Sequence, residues 1–161
     1  MNSKANAYEC ASKYLSTRIR TEAEVRKKLL EKGYKENEIE NAIDELKMLR
    51  YIDDYQYSLS FIEYSIGKSR GAIRIKTELI EKGVTEQIVD ETLDEYKEEN
   101  PYDEFDLAIE YAESICTDCR MIDEKLVSKI SRSLNNRGFN TDTIYKVVGE
   151  IYKWKNTKEL N

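Results

Sequence analysis

The most informative absence in this chain of 161 residues is histidine, which does not occur at all. Histidine is the side chain whose ordinary pKa lies nearest neutrality, so its absence removes the commonest general acid and base. The sequence also shows neither a phosphate-binding glycine loop nor a nucleophile placed beside a base. We therefore predict that the protein is not an enzyme and needs no cofactor.

Cysteine is almost as scarce, with only Cys10, Cys116 and Cys119 in the chain. Three thiols cannot all pair with one another, and a small scaffold held by disulfides would have more of them. Cys116 and Cys119 form a CxxC motif, but a zinc site needs about four ligands and only Cys10 remains to help. The pattern favours ordinary thiols on a helix over a metal or redox site.

Helix breakers and long apolar runs are also few. There is one proline and there are six glycines, while Glu, Lys, Leu, Ile and Ala dominate long stretches, which favours helix. The sequence contains no run of about 18 apolar residues that could span a membrane. Its first residues lack the apolar core of a signal peptide. These features predict a soluble, cytoplasmic helical protein without a membrane partner.

Charge, by contrast, is plentiful and unevenly distributed, with a net charge of -6. Residues 1–34 carry eight Lys or Arg against four Glu, whereas residues 86–113 carry twelve acidic residues and one lysine. The first segment is suited to approach phosphates or acidic protein, and the second should repel them. Because nucleic-acid binders are usually basic, this balance argues against DNA as the main ligand.

Three segments repeat one pattern around a glycine, namely Gly33, Gly83 and Gly138. An aliphatic residue lies eight positions before each glycine, a leucine four before, a basic residue directly before and a hydrophobic residue directly after. Further apolar residues follow six, ten and thirteen positions later. In chain order the aligned residues are Val25, Leu29, Lys32, Tyr34, Ile39, Ile43 and Leu46, then Ile75, Leu79, Lys82, Val84, Val89, Leu93 and Tyr96, then Ile130, Leu134, Arg137, Phe139, Ile144, Val148 and Ile151.

The spacing in each copy predicts two helices joined by a glycine turn. Positions eight and four before the glycine share one helical face. A residue just past the last helical turn often adopts the left-handed conformation, which costs a residue with a side chain roughly 1–2 kcal/mol and glycine almost nothing. We therefore assign Gly33, Gly83 and Gly138 to structural turns, with the next hydrophobic residue folded back onto the preceding leucine.

An apolar stretch before each pair supplies a third helix. The prediction is an all-α fold of three tandem three-helix repeats, about nine helices, in an elongated, curved array. We place the repeats at residues 1–53, 54–100 and 101–161, the last including a C-terminal tail. Helix-capping and helix-stopping residues support these limits. They are Thr21 with Glu24 in a capping box, Asp53 or Asp54, Asp103 and Pro101.

The same segments resemble the RecX family of bacterial recombination regulators. The resemblance is carried by residues 14–29 (YLSTRIRTEAEVRKKL), 49–54 (LRYIDD) and 71–83 (GAIRIKTELIEKG). These contain an arginine-rich turn before a capped helix, an Ile-Asp-Asp junction and a helix that ends in Lys-Gly. The resemblance covers roughly residues 7–152 and is weaker in the third repeat, where Asn135 aligns with Leu30 and Ile80.

The resemblance implies a partner and a function that composition cannot show. Proteins similar to RecX bind the RecA recombinase, lie in the groove of its filament on single-stranded DNA, and generally inhibit its ATPase, strand-exchange and coprotease activities. The resemblance therefore implies a monomeric regulator of homologous recombination, DNA repair and the SOS response. Its partners would be RecA and the RecA filament, with at most a weak direct contact with DNA. An elongated array could touch successive filament subunits and gain avidity.

Two basic clusters are the candidate partner-binding residues. The first comprises Arg18, Arg20, Arg26 and Lys27, with Lys28 beside them, and the second comprises Lys68, Arg70, Arg74 and Lys76 around two glycines. In the first cluster, Arg18 and Arg20 lie in a turn where we expect no acidic partner on the helix, whereas the others alternate with glutamates. The second occupies a glycine-rich connection, where charge is consistent with a binding element. A solvated helix face and a simple loop are the respective alternatives.

Other functions stay open at this point. Three-helix units with a glycine turn also resemble helix-turn-helix domains, which would make the protein a sequence-specific DNA binder. The repeats alone would equally suit a helical scaffold for another protein. The twelve tyrosines could stack on single strands, although helical spacing places several, such as Tyr34 and Tyr96, in the core.

Overall fold

The computed structural model describes residues 6–100, 103–116 and 122–158, and it contains only helices and their connections in these ranges. The helices are α1 (Ala7–Leu15), α2 (Glu22–Glu31), α3 (Glu36–Met48), α4 (Asp54–Ile66), α5 (Ala72–Glu81), α6 (Glu86–Glu99), α7 (Glu104–Ile115), α8 (Glu124–Asn136) and α9 (Thr141–Lys158). The predicted all-α class built from three-helix groups is confirmed. Pro101, the expected stop for α6, lies outside the described residues.

Polar side chains begin the helices where the sequence predicts them. The Thr21 hydroxyl accepts a hydrogen bond from the Glu24 backbone N–H over 3.2 Å, and the Glu24 carboxylate accepts one from the Thr21 N–H over 3.1 Å. Of the two candidates before α4, Asp53 is the cap, because its carboxylate accepts from the Gln56 N–H over 3.0 Å. Asp103 caps α7 in the same way. Each cap satisfies a backbone donor that has no partner within the helix.

The second helix of each group ends at the repeated glycine. Gly33, Gly83 and Gly138 have φ of 79°, 86° and 80°, the left-handed region that disfavours residues with a side chain. At the first turn the Tyr34 N–H donates to the Leu29 carbonyl over 3.3 Å, and equivalent bonds form at the other two turns. These are Schellman motifs, so the three turns have the geometry that the repeat predicts.

The chain divides into two compact units, each with its own core. Unit 1 contains residues 1–61 and 78–94, and unit 2 contains residues 62–77 and 95–161. The core of unit 1 buries the predicted positions Val25, Leu29, Ile39, Ile43 and Leu46. The core of unit 2 buries Ile130, Leu134, Phe139 and Ile151, together with Val147 rather than the predicted Val148, which is only partly buried. The predicted positions Tyr34 and Ile144 are also only partly buried and pack against these cores, whereas the other aligned apolar residues of these two copies are buried.

The divergence of the third repeat at Asn135 has a simple explanation. Its counterparts Leu30 and Ile80 are 51% and 42% exposed, and Asn135 is exposed as well. A polar residue at this position therefore removes nothing from a core, since the leucine and isoleucine are not buried in the other copies. The substitution leaves the helical pattern of the repeat intact.

One contact recurs within each unit and joins successive helical groups. In unit 1 the Thr21 hydroxyl donates to the Lys82 carbonyl over 2.7 Å, and in unit 2 the Gly71 N–H donates to the Arg137 carbonyl over 2.8 Å. Thr21 and Gly71 occupy the same repeat position, twelve residues before a repeat glycine. Lys82 and Arg137 directly precede the glycine of the next copy. The start of one second helix is thus held against the next glycine turn.

A second recurring contact caps these helices from outside their own group. The Glu22 N–H donates to the Asp54 carboxylate over 2.8 Å, and the Ala72 N–H donates to the Glu104 carboxylate over 3.1 Å. Asp54 and Glu104 are the first residues of α4 and α7, so the two contacts are equivalent. A carboxylate near a helix N-terminus also interacts favourably with the helix dipole. Burial of Asp54 raises its pKa, and the hydrogen bond from Glu22 opposes that rise.

Candidate functional site

The first basic cluster lies in unit 1, and ion pairs occupy several of its charges. Arg18 is 3.1 Å from the Glu24 carboxylate and Arg20 is 4.0 Å from it, so the expectation that neither has an acidic partner on the helix was wrong. The reason is that Glu24, as part of the capping box, is held at the end of α2 that faces this turn. The Arg20 guanidinium also stacks on the Tyr14 ring at 4.1 Å.

Arg26 is the centre of an ion-pair network. Its guanidinium lies 3.3 Å from Glu22, 2.7 Å from Glu36 and 2.6 Å from Glu40. The hydrogen bond from Arg26 lowers the pKa of Glu40. A hydrogen bond from Lys47, followed by the interaction with Arg26, lowers the pKa of Glu22 against the opposing effect of burial. Arg26 therefore joins α2 to α3 in this structure.

The two remaining lysines of the first cluster differ in their surroundings. Lys27 is exposed, whereas Lys28 lies 5.6 Å from the centre of the Tyr14 ring and 3.9 Å from Glu31. Lys28 also lines a pocket of about 720 Å³ with Lys13, Lys32 and several apolar and polar side chains. The cluster as a whole is a charged surface in which both signs are interleaved. Its role in partner binding stays a prediction.

The second cluster lies in unit 2 and forms a concave basic surface, which we call the basic cleft. The cleft encloses about 470 Å³ and is lined by Tyr64, Lys68, Arg70, Arg74, Tyr111, Ser133, Asn136 and Arg137. It brings together three of the four predicted residues. Lys76, the fourth, follows on α5 but is not part of this lining.

The connection between α4 and α5 positions two of these cations. The Arg70 N–H donates to the Ser65 carbonyl over 3.1 Å, and Ser69 has a positive φ of 52°, so the chain turns back tightly after α4. This turn places the Lys68 ammonium and the Arg70 guanidinium each 5.8 Å from the centre of the Tyr64 ring. Distances of this size allow a cation–π attraction.

Arg137 is the functional candidate that the sequence did not reveal. Its guanidinium lies 3.9 Å from the centre of the Tyr111 ring and donates to the backbone carbonyls of Lys68 and Ser69. The Tyr111 hydroxyl lies 2.7 Å from the Ser133 hydroxyl. Burial alone would raise the pKa of Tyr111, but hydrogen bonds with Ser133 and Arg137 and the charge of Arg137 together lower it.

The lining of the basic cleft is polar and rich in positive charge. Among the described residues that line it, four carry positive charge and none carries a carboxylate. Ser133 and Asn136 add neutral hydrogen-bond donors, and the two tyrosines add aromatic surface. Cationic and neutral donors in one concave surface stabilise negative charge, so this arrangement can bind an anionic group.

The described ranges include part of the CxxC motif that the sequence analysis considered. Cys116 is buried, while Cys119, the other cysteine of the CxxC motif, lies outside those ranges. Within the part of the chain that the structure describes, no group of three or more side chains of the kind that binds metals is present. In that same part, no helix combines the length and the apolar character needed to cross a bilayer.

Models of two protein domains match the chain. The first three-helix domain of RecX matches residues 7–46, and the second three-helix domain of RecX matches residues 53–93, so that together they cover half of the chain. The first match contains the first basic cluster and the second match contains the second, both of which the sequence analysis gave as candidate partner-binding residues.

Two curated relatives are called "Regulatory protein RecX" and come from Clostridium botulinum strains Eklund 17B and Alaska E43. Each is 39% identical to this chain over 67 residues, which is 42% of this chain and 31% of the relative. The matched segment thus spans less than a third of the length of these relatives.

Two solved structures resemble this chain over most of its length. The crystal structure of RecX from Lactobacillus salivarius has a TM-score of 0.76 and 27% identity, over 90% of this chain and 94% of the other. A crystal structure of regulatory protein RecX has a TM-score of 0.74 and 27% identity, over 89% of this chain and 71% of the other. Taken with the two matching domains, this similarity shows that the chain belongs to the RecX family of regulatory proteins.

Proposed function

We propose that this protein binds the RecA recombinase and the filament that RecA forms on single-stranded DNA, and that it lowers the ATPase, strand-exchange and coprotease activities of RecA. The observation that carries the proposal is membership of the RecX family, with a fold similarity that extends over 90% of the chain. The proposal makes the protein a cytoplasmic regulator of recombination and DNA repair that acts by binding and not by catalysis. It acts as a monomer on each site of the filament.

A group of exposed apolar side chains in unit 1 supports a protein partner. Ile19, Met48, Leu49 and Tyr51 are 60%, 82%, 51% and 61% exposed. Ile19 and Tyr51 line a groove of about 550 Å³, together with Tyr8, Leu15 and other residues. Exposed apolar side chains that share a groove are typical of surfaces that bind another protein. We therefore assign this groove to the contact with RecA.

The proposal is tested by adding the purified protein to RecA on single-stranded DNA and measuring ATP hydrolysis. Hydrolysis should fall when the protein is present at less than one molecule per RecA subunit, because one regulator on a filament affects several subunits. A pull-down with RecA, with and without single-stranded DNA, should retain the protein. Unchanged hydrolysis and strand exchange, with no retention by RecA in either case, would reject the proposal.

A pair of double variants tests the groove separately. The double variant Ile19→Ser, Tyr51→Ser should require a concentration about tenfold or more higher for the same inhibition. The reason is that central apolar residues of an interface often contribute about 2 kcal/mol each. Ile73→Ser with Tyr145→Ser is the matched control, because Ile73 and Tyr145 are 56% and 71% exposed and lie outside this groove. Equal losses in both variants would remove the groove from the proposal and leave binding to RecA standing.

A further inference from the structure

Residue 50 has a backbone conformation that this chain gives mainly to glycine. Five described residues have a positive φ; three are the repeat glycines, and the others are Ser69 and Arg50, whose φ is 57°. Arg50 follows the end of α3, where the Tyr51 N–H donates to the Leu46 carbonyl over 2.8 Å. The same hydrogen bond closes the glycine turns, so glycine would fit residue 50 without strain. An arginine there costs the fold free energy, because its Cβ crowds the following carbonyl.

No contact within the described part of the chain accounts for this strained arginine. The Arg50 side chain is exposed, and in that part it makes no hydrogen bond, ion pair or ring contact. The other three arginines of unit 1, which are Arg18, Arg20 and Arg26, all lie near glutamates. A side chain that costs stability and makes no contact with the fold is typical of residues kept for binding.

Arg50 supplies the only charge in the described lining of the groove in unit 1. The rest of the lining consists of two tyrosines, two aliphatic side chains and two serines, namely Tyr8, Tyr51, Leu15, Ile19, Ser12 and Ser16. A single cation in an otherwise uncharged groove is complementary to one anionic group carried by an apolar segment. The groove therefore has a charge preference as well as an apolar surface.

We infer that Arg50 forms an ion pair with an aspartate or glutamate of RecA, beside the apolar side chains of RecA that occupy this groove. The inference rests on the proposed function, since it takes RecA as the occupant, and it adds the chemistry that selects the contacted segment. Arginine suits this role because its planar guanidinium can donate two parallel hydrogen bonds to one carboxylate. The exposed side chains of Ile19 and Tyr51 supply the apolar part of the contact.

A protein carboxylate fits the groove better than the backbone of a nucleic acid does. Proteins that bind a nucleic-acid backbone neutralise several phosphates at once with several lysines or arginines. Among its described lining residues the groove has one arginine and no lysine. Aromatic side chains and arginine at one apolar surface are, in contrast, enriched at the centres of interfaces between proteins.

The test measures binding of the protein, labelled with a fluorophore at its N-terminus, to RecA filaments on single-stranded DNA. Arg50→Glu reverses the charge, Arg50→Lys keeps it, and Arg50→Gly removes it and relieves the backbone strain. Arg132→Glu is the matched control, because Arg132 is exposed on α8 and lies outside the groove. Urea unfolding followed by circular dichroism measures the stability of each variant.

We expect Arg50→Glu to weaken binding by about tenfold or more, because repulsion between like charges replaces a charge-assisted hydrogen bond. Arg50→Lys should lose less, since it keeps the charge but not the planar fork. Arg132→Glu should lose about twofold or less, through the change in net charge alone. Arg50→Gly should raise the midpoint of urea unfolding and yet weaken binding. A purely structural role for Arg50 would not produce that combination.

A reciprocal change in RecA tests for the carboxylate. Exposed aspartates and glutamates of RecA are replaced by lysine one at a time. One of these RecA variants should bind the Arg50→Glu protein more tightly than it binds the unchanged protein, because the two charges are exchanged.

The inference is overturned if Arg50→Glu binds RecA filaments as tightly as Arg132→Glu does, if Arg50→Gly keeps the affinity of the unchanged protein, or if no RecA variant restores binding. Binding of the protein to single-stranded DNA alone that depends on Arg50 would also overturn it, in favour of a phosphate ligand. If the unchanged protein does not bind RecA, the proposed function is rejected and the inference with it, so the two failures are distinguishable.

Discussion

Replacing Gly83 with alanine should destabilise the protein more than the same change at Gly33. Both glycines have positive φ, 86° and 79°, so each alanine bears the left-handed penalty of roughly 1–2 kcal/mol. The two positions differ in the space beside them. A Cβ at Gly33 would have no neighbour within 4 Å, whereas a Cβ at Gly83 would overlap the Cβ of Ala23.

The overlap determines the expected size of the difference. Gly83 and Ala23 both belong to unit 1, where the second glycine turn packs against the first turn of α2. Overpacking of a tight contact typically costs about 1–3 kcal/mol. We therefore expect Gly83→Ala to lower the free energy of unfolding by about 2–5 kcal/mol and Gly33→Ala by about 1–2 kcal/mol.

Urea unfolding followed by circular dichroism measures both losses, and a third variant tests their cause. Ala23→Gly removes the methyl group that the new Cβ would overlap, so in the Gly83→Ala background it should recover about 1–3 kcal/mol. In the unchanged protein it should cost about 0.5–1 kcal/mol, the usual effect of glycine in a helix. Equal losses at Gly33 and Gly83, or no recovery with Ala23→Gly, would show that the close approach of this turn to α2 is incorrect.

Three further predictions follow from single contacts. Ser69→Gly should raise the free energy of unfolding by up to about 1 kcal/mol in urea unfolding, because Ser69 has a φ of 52° that glycine adopts without strain; a loss of stability would contradict this turn. Asp54→Ala should cost about 0.5–2 kcal/mol by the same measurement, because it removes the acceptor for the Glu22 N–H; an unchanged midpoint would exclude that cap. Because the pKa of Glu22 is lower in the folded protein than in the unfolded chain, its carboxylate stabilises the fold at pH values above the ordinary pKa. This stabilisation is lost as the pH falls through the lowered pKa of the folded protein. Glu22→Gln should therefore flatten the fall of stability below about pH 5 in urea titrations at several pH values, and an identical pH profile in both proteins would exclude the pairing with Lys47 and Arg26.

The helices and turns could be predicted because they depend on residues close together in the chain. Thr21 and Glu24 are three positions apart, and the bonds around Gly33 join residues no more than five positions apart. The core positions follow the helical period, so their spacing identifies the buried face. The exceptions on α9 are Ile144 and Val148, which are only partly buried, because a pattern of spacings identifies a helical face but not how deeply each residue on it packs.

The composition of the candidate site could be predicted only in part. Lys68, Arg70 and Arg74 are near one another in the sequence, and their grouping was recognised. Arg137 is 69 positions from Lys68, and no local rule relates the two. The pairing of Arg18 and Arg20 with Glu24 was also missed, because it depends on the direction in which a turn leaves the end of α2.

The amino-acid sequence by itself determined that the chain forms helices interrupted by glycine turns, because capping, helical period and left-handed conformation are properties of short segments. Only the tertiary structure decided which charges oppose one another and which share a surface. Ion pairs join Arg18 and Arg26 of the first basic cluster to glutamates, and packing brings three residues of the second cluster together with Arg137 and two tyrosines. That distinction depends on packing between distant helices, which the order of residues along the chain does not display.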